Sequence, residues 1–477
     1  MVGKWIWRSL GLAAALLLLL LAGVVGALLV LDIPANAAGM AAKGICSAAF
    51  VAQRPWQTLL ADDVLPASAA LKPIGVVVDE ANKSVTARFA GLFARQARLV
   101  PDRGCVLDMP GGQALPLPTP ARVVAAQQPW PQGEAAVPPG QWGPGVDVKA
   151  LQQLAQDAFV GAGDPQRANA RGIAIVHKGR LLVLQTAPGF APSTPLHGWS
   201  MTKTVLGMLS FKLAHETGLA LDTPVVDAFG TQRAPAWAAA WRADARRTIK
   251  VSDLLYMRDG LASTEEYDPW GSVPRMLWGN ADTAAFAAAV KPAAAAGQRW
   301  NYLSQTANLL SAVDRSRFAS DTEYWSYPAK ALFAPIGATT AVLETDTAGN
   351  WVGSSYLWAS VGDWARLGQL MLSDGRWGDQ QVLPPGWLKV AATPATLQGE
   401  GRGYGAQTWR DGDPDAGTCR GRGLPVDTLV MGGHWGQVVA MVPSRDAVIV
   451  RLGWTFRRAQ FDRCAFIAAA LQALPQP

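Results

Sequence analysis

The chain has 477 residues, half of them hydrophobic, with 42 Lys and Arg against 36 Asp and Glu and a formal net charge of +6. This length suffices for two or three domains with a sizeable buried core, and the charged fraction of 16% argues against a disordered chain. The basic residues are scattered instead of concentrated on one segment, so the sequence predicts no nucleic-acid partner.

An apolar segment near the N-terminus predicts a membrane anchor. Lys4 and Arg8 precede residues 10–31, which carry no charge, and a helix of this length spans about 30 Å of hydrocarbon. Positive charges before such a segment keep the N-terminus in the cytoplasm. We therefore expect a single-pass inner-membrane protein whose remaining chain is periplasmic or otherwise extracytoplasmic. A cleaved signal peptide is the alternative, because residues 35–37 loosely resemble a cleavage site.

The four cysteines agree with an oxidising compartment. None has a C-x-x-C or other metal-binding spacing, and the sequence predicts neither a metal site nor a cofactor. Of the three pairings that four cysteines allow, proximity along the chain favours Cys46 with Cys105 and Cys419 with Cys464. Four unpaired thiols are the open alternative.

Composition divides the chain into four segments. Residues 1–31 are a cytoplasmic stub with the anchor, and residues 32–109 are a small extracytoplasmic region. Residues 110–146 are a Pro- and Gly-rich linker, and residues 147–477 form the main domain. In the small region, residues 74–78 and 84–92 have the patterning of strands.

The main domain begins and ends with similar elements. Residues 148–160 predict an amphipathic helix capped by Asp147, and residues 173–185 predict a hairpin that turns at a Lys-Gly-Arg sequence. A second hairpin at 438–452 and a helix at 461–474 close the chain. The pattern predicts an α/β (α+β) fold in which the terminal helices cover one face of a single antiparallel sheet. Helices from the middle of the chain would cover the other face and form an additional helical lobe.

Ser200 and Lys203 lie three residues apart at the start of a predicted helix, 204–216, so both side chains share one face. A serine hydroxyl needs a group that removes its proton, and a lysine one turn away can do so. The helix N-terminus adds partial positive charge where an oxyanion would form. A capping serine followed by a solvated lysine would give the same spacing. The apolar residues around the pair instead predict a buried helix, in which a lysine needs a partner or a function.

Two later segments complete a set. Tyr302 and Ser304 precede a predicted helix at 306–313, and His434, Trp435 and Gly436 lead into the first strand of the second hairpin. In order, these segments resemble the S-x-x-K, Y-x-[N/S] and [K/H]-x-G elements of the serine β-lactamase and penicillin-binding-protein family. Within this family, the motifs resemble most those of class C β-lactamases, family C esterases and aminohexanoate-oligomer hydrolases. The resemblance covers about residues 147–477, and no G-x-S-x-G motif supports an α/β-hydrolase.

The resemblance implies a role for each matched residue. Ser200 would attack a carbonyl and form an acyl-enzyme, while Lys203 and Tyr302 would move the protons. The backbone N–H groups of Ser200 and Gln437 would hold the oxyanion, and Gly436 would let the strand approach the substrate closely. Ser304 would contribute to the substrate side of the site, beside His434.

Two departures from the family pattern bear on the substrate. Trp435 stands where penicillin-binding members usually carry Thr or Ser, and Ser304 stands where an Asn often contacts a substrate amide. Both favour a membrane-anchored serine hydrolase for esters or small amides, with an aromatic-lined acyl pocket. A β-lactamase or D,D-peptidase and a non-catalytic envelope binding or sensor module are the alternatives. A Ser–His arrangement that uses His434 is a further one.

Overall fold

The structure is a computed structural model that describes residues 2–109, 130–133, 135–229 and 233–476. Most of the predicted linker, residues 110–129 and 134, lies outside the described residues. The α-helices are α1 (Val2–Val30), α2 (Ile33–Cys46), α3 (Trp56–Leu59), α4 (Val148–Ala158), α5 (Met201–Thr217), α6 (Val225–Ala228), α7 (Ala238–Arg242), α8 (Val251–Leu255), α9 (Ser272–Gly279), α10 (Thr283–Ala288), α11 (Ser304–Arg315), α12 (Asp321–Pro328), α13 (Val361–Leu372), α14 (Trp387–Ala392) and α15 (Arg463–Gln472). The strands are β1 (Ile74–Asp79), β2 (Ser84–Phe89), β3 (Phe93–Val100), β4 (Gly104–Asp108), β5 (Ala170–His177), β6 (Arg180–Thr186), β7 (Leu196–His197), β8 (Val342–Leu343), β9 (Leu357–Ala359), β10 (Arg376–Trp377), β11 (Gln380–Gln381), β12 (Leu429–Gly433), β13 (Gln437–Val442) and β14 (Ala447–Gly453).

The principal sheet has five antiparallel strands in the order β12-β13-β14-β5-β6. Strand β14 pairs with β5, so the C-terminal hairpin joins the hairpin that opens the domain. Strands β5, β13 and β14 are buried along their whole length, because helices α4 and α15 cover one face while α13 and α5 pack on the other. The predicted sheet, its two helical layers and the helical lobe are confirmed.

Three predicted helices of the main domain, α4, α5 and α15, are present in the structure. The Asp147 carboxylate caps α4 by accepting a hydrogen bond of 2.9 Å from the backbone N–H of Ala150. Helix α5 ends at Gly218, whose φ of 67° is the left-handed conformation that glycine adopts without strain. Helix α15 begins two residues later than predicted, after the Asp462 side chain that caps it.

The N-terminal region, residues 32–109, forms a four-stranded antiparallel meander, β1-β2-β3-β4, with α2 packed across it. The sequence predicted two of these strands. Strand β3 lacks a clean apolar alternation, since it contains two arginines and a glutamine, and most of its residues are only partly buried. Within the described residues, no helix combines the length and hydropathy needed to cross a membrane. The anchor at residues 10–31 stays a prediction.

The N-terminal region shares a hydrophobic core with the main domain. Ile45 of α2 belongs to the same buried cluster as Trp278 of α9 and Trp358 of β9. The Glu344 carboxylate, from the main domain, accepts hydrogen bonds from the Ser47 hydroxyl at 2.8 Å and from the Cys105 N–H at 2.7 Å. The two regions therefore pack as one body.

Both predicted disulfides are present. Cys46 is bonded to Cys105 and Cys419 to Cys464. The first links α2 to β4 inside the N-terminal region. The second ties α15 to the loop before β12, close to the cleft described below. The predicted pairing is confirmed.

Candidate active site

Ser200 occupies the N-cap position of α5, but its side chain makes no capping hydrogen bond. The preceding residue, Trp199, has a φ of 50°, a conformation that side-chain-bearing residues rarely adopt. The Thr202 hydroxyl instead stabilises this turn by donating to the Trp199 carbonyl at 2.6 Å. At Gly198, any Cβ would lie 2.1 Å from the Trp364 ring. The turn is tightly constrained, and it leaves the Ser200 hydroxyl available for chemistry.

Lys203 is almost fully buried and directly contacts the proposed nucleophile. Its Nζ lies 3.0 Å from Ser200 Oγ and donates to Ser304 Oγ at 3.0 Å and to the Ser354 carbonyl at 3.1 Å. The same nitrogen lies over the Tyr302 ring, 4.8 Å from its centroid. Only 1% of the lysine is exposed, so these groups replace the water that would otherwise solvate it. The solvated-lysine alternative is wrong.

A carboxylate that the sequence analysis missed extends this network. Glu265 accepts hydrogen bonds of 2.6 Å from both the backbone N–H and the hydroxyl of Ser304, the first residue of α11. Acidic groups are favourable at helix N-termini, where backbone N–H groups lack partners. Ser304 therefore links Glu265 to Lys203, and Lys203 links both to Ser200.

Tyr302 lines the same cleft as Ser200. Its ring stacks on Trp409, with centroids 5.0 Å apart, and its face lies toward Lys203. Within the described residues, its hydroxyl makes no hydrogen bond, so the structure brings the ring to the lysine without joining the hydroxyl to Ser200. Its proton-transfer role stays a prediction.

A second tyrosine, Tyr267, lines the cleft beside Ser200. Its ring stacks on His434, with centroids 4.2 Å apart and planes 5° from parallel. Burial, reinforced by the charge of Glu265, raises the pKa of Tyr267 well above its usual value of 10, although the nearby Ser200 side chain acts in the opposite direction. The phenol is therefore protonated near neutral pH and can donate a hydrogen bond in the cleft.

His434, Trp435 and Gly436 form a tight turn between β12 and β13. As predicted, they lead into β13, the first strand of the second hairpin, and they also form the turn that joins β12 to β13. Gly436 has a φ of 82° and serves the turn, and its close approach to the substrate stays a prediction. A Cβ on Gly433 would lie 2.3 Å from the Gly198 carbonyl, because the end of β12 packs against the nucleophile turn.

Gln437 fixes this turn through its side chain. Its amide nitrogen donates to the carbonyls of His434, Trp435 and Gly453 at 3.1, 3.2 and 2.6 Å, and its amide oxygen accepts from the Gly453 N–H at 3.0 Å. The side chain thus holds the turn in place beside the cleft. The assignment of the backbone N–H groups of Ser200 and Gln437 to an oxyanion hole stays a prediction.

The histidines near the site are electrically neutral. Burial, with the charge of Arg458 adding to it, lowers the pKa of His434 from 6.5 to about 4. Burial also lowers the pKa of His197 to about 3, and its Nε2 lies 2.7 Å from the Ser355 carbonyl. His434 contacts its neighbours through its ring faces and edges, and within the described residues it forms no hydrogen bond with Ser200. This geometry does not support a Ser–His pair.

Ser200, Glu265, Tyr267, Tyr302 and the turn at residues 434–437 line one cleft of about 780 Å³. Lys203 and Ser304 are buried beside Ser200 and Glu265, which they contact. The structure thus brings together the three catalytic residues predicted from the sequence and Ser304, His434, Trp435, Gly436 and Gln437. A serine hydroxyl contacted by a buried lysine in an open cleft is an arrangement that can support acyl transfer.

Residues 151–474 match the family model named Beta-lactamase, which is more than half of the chain. The chain belongs to the β-lactamase family. The predicted family is confirmed, and its fold is the β-lactamase and transpeptidase type.

Solved structures show the same fold at low sequence identity. A family VIII carboxylesterase is 13% identical, with 70% of this chain and 98% of that chain covered and a TM-score of 0.51. A β-lactamase-named structure from Bacteroides dorei is 15% identical, with 65% and 91% covered and a TM-score of 0.51. A structure named as a 6-aminohexanoate-dimer hydrolase, from Bacillus anthracis, is 17% identical, with 68% and 83% covered and a TM-score of 0.50. No match was found among the curated proteins compared with the chain.

Proposed function

We propose that this β-lactamase family member is a serine hydrolase that cleaves esters or small amides through an acyl-enzyme on Ser200. The observation that carries the proposal is the 3.0 Å contact between Lys203 Nζ and a Ser200 hydroxyl that caps nothing. A buried amine at this distance is positioned to accept the hydroxyl proton as the oxygen attacks.

The proposed reaction has two halves. Lys203 takes the proton of Ser200 while its oxygen bonds to the substrate carbonyl carbon, and the N–H groups of Ser200 and Gln437 stabilise the resulting oxyanion. The proton passes by way of Tyr302 to the departing alcohol or amine, which leaves the acyl-enzyme. In the second half, water attacks the acyl carbon, gives up its proton through Tyr302 and Lys203, and the carboxylic acid departs as Ser200 regains its hydrogen.

The walls of the cleft favour small esters or amides over penicillins. Trp435 stands on the turn beside the nucleophile and contributes an indole where a hydroxyl would bind a substrate carboxylate. Trp409 and Tyr302, which also line the cleft, stack on one another. The carboxylesterase and the aminohexanoate-dimer hydrolase among the similar structures agree with this substrate class.

Active-site labelling of the purified full-length chain tests the proposal. A fluorophosphonate probe should modify the wild type and fail to modify Ser200→Ala, with equal thermal unfolding of the two proteins as the control. p-Nitrophenyl esters and nitrocefin, compared side by side, then separate an esterase from a β-lactamase. Absence of both labelling and hydrolysis would favour a binding or sensor module and overturn the proposal.

We also propose that the hydrolase is held at the outer face of an inner membrane by residues 10–31. Lys4 and Arg8, placed before this uncharged segment, and the two disulfides support the proposal. The full-length chain should remain with membranes after carbonate extraction and be digested by protease added to spheroplasts. Recovery of a soluble form that lacks the first 37 residues would indicate a cleaved signal peptide instead.

A further inference from the structure

The N-terminal region lies directly behind the nucleophile turn, and the two enclose a second cavity. We infer that this cavity binds the apolar end of the substrate's acyl group, so that residues 32–109 help to determine acyl-chain specificity. The inference rests on the proposed function and names the class of acyl group that the hydrolase prefers.

The cavity has aromatic walls. Its volume is about 50 Å³, several times the ~10–15 Å³ that one water molecule needs. Met40, Gly44 and Val64 of the N-terminal region form one side. The main domain supplies the opposite side, with the rings of Trp199, Trp278, Tyr356, Trp358, Trp435 and Trp454. Aromatic faces at this density suit an apolar group of a few carbon atoms.

Two tryptophans connect the cavity to the reaction centre. Trp199 lines the cavity and immediately precedes Ser200, and Trp435 lines both the cavity and the catalytic cleft. Their rings meet edge to face, with centroids 5.2 Å apart. Both residues have the left-handed backbone, with φ of 50° and 59°, a strain that proteins retain mainly at functional sites. The cavity and the catalytic cleft thus border each other at Trp435, next to the turn that carries Ser200.

The charged residues in the lining already have partners. Lys43 forms an ion pair with Glu344, which also accepts from Ser47. Asp63 forms ion pairs with both Arg54 and Arg171.

The neutral polar groups of the lining are largely paired as well. The imidazole of His197 contacts the Ser355 carbonyl. Several tryptophans of this chain have a buried indole N–H without a partner within the described residues, and Trp199 is the one among them that lines this cavity. What the lining offers to a ligand is therefore mainly aromatic surface, which selects an alkyl or aryl group over a charged one.

A p-nitrophenyl ester series from acetate to octanoate, hydrolysed by the full-length chain, tests the inference. Each methylene buried in the cavity should raise kcat/KM about fourfold until the cavity is full. Met40→Trp adds volume from the N-terminal region and should lower kcat/KM for the hexanoate ester at least about tenfold, with the acetate ester unchanged. Met40→Leu, which conserves volume, is the matched control and should leave both values unchanged.

Val64→Ala enlarges the cavity without touching the cleft and should move the preferred chain length upward by one or two carbons. Thermal unfolding shows whether Met40→Trp folds. If it does not fold, the chain-length profile of Val64→Ala still tests whether the cavity binds the acyl group. An unchanged chain-length profile in folded variants with normal acetate hydrolysis overturns the inference alone. Failure of the wild type to hydrolyse any ester, with no labelling of Ser200, overturns the proposed function as well.

Discussion

Glu265 and Lys203 contact the same hydroxyl group, that of Ser304. The carboxylate accepts the hydroxyl's hydrogen at 2.6 Å, and the lysine Nζ approaches the oxygen at 3.0 Å. Glu265 therefore orients Ser304, and Ser304 in turn presents a lone pair to the lysine. This series of contacts ends at Ser200. Glu265, a loop residue with no direct contact to the proposed nucleophile, therefore helps to position Lys203, the proposed proton acceptor.

Glu265→Gln should lower kcat about tenfold while KM changes less than about twofold, because Gln loosens the network but has nearly the shape of the Glu265 side chain that lines the cleft. Steady-state kinetics of the wild type and the variant provide the measurement.

Glu266→Gln is the matched control for this experiment, since the neighbouring Glu266 is exposed. It should leave both kcat and KM unchanged. Equal losses of kcat in the two variants would mean that overall charge, and not the Ser304 contact, is responsible.

The two tyrosines of the cleft make a second test. Tyr302→Phe should lower kcat by about 10²–10⁴, the usual contribution of a proton-transfer group. Tyr267→Phe removes a phenol hydroxyl beside Ser200 and should cost about fivefold, because a single neutral hydrogen bond contributes roughly 1 kcal/mol. Single-turnover measurement of acylation and deacylation separates the steps. A larger loss in Tyr267→Phe than in Tyr302→Phe would transfer the proton-shuttling role to Tyr267.

The motif residues were predictable because each motif is local in sequence. Ser200 and Lys203 share the first turn of α5, and Tyr302 and Ser304 stand at the start of α11, so helix geometry alone brings each pair together. The family resemblance then joined the pairs into one site. The fold could be predicted in the same way, since its hairpins and terminal helices follow apolar periodicity and turn residues.

Contacts between distant loops gave no such signal. Glu265 and Tyr267 lie in a loop without periodicity, and Glu265 reaches Ser304 across 39 residues of chain. Trp435 has a left-handed backbone conformation, which helps to reverse the chain at this turn. The sequence gives no sign of this conformation, because residues other than glycine rarely adopt it. Packing of the N-terminal region against the main domain depends on side chains that are distant in sequence, such as Lys43 and Glu344, which are 301 residues apart.

His434→Phe tests the alternative in which a histidine activates the serine. Phenylalanine keeps the stacking on Tyr267 and removes both ring nitrogens. Since the pKa of His434 is lowered to about 4, the imidazole is uncharged from pH 5 to 8 and contributes no inflection there. We expect kcat within about threefold of the wild type and a pH–rate profile of the same shape. A fall of about 10³ or more would identify His434 as the base.

The buried ion pair between Lys43 and Glu344 joins the N-terminal region to the main domain. Glu344 is fully buried and also accepts from Ser47, the Cys105 N–H and the Trp358 indole. Burial lowers the pKa of Lys43, and the Glu344 charge opposes this shift.

Glu344→Ala should therefore cost about 3–5 kcal/mol of unfolding free energy, because it leaves a buried ammonium without its counter-charge. The loss should lessen as the pH rises and Lys43 releases its proton, since an uncharged amine tolerates burial. Urea unfolding at pH 7 and pH 10 measures both effects. The double variant Lys43→Met with Glu344→Leu removes both charges and should be less destabilised than Glu344→Ala alone. If the two variants lose equal stability at both pH values, the packing of Glu344, and not its charge, holds the regions together.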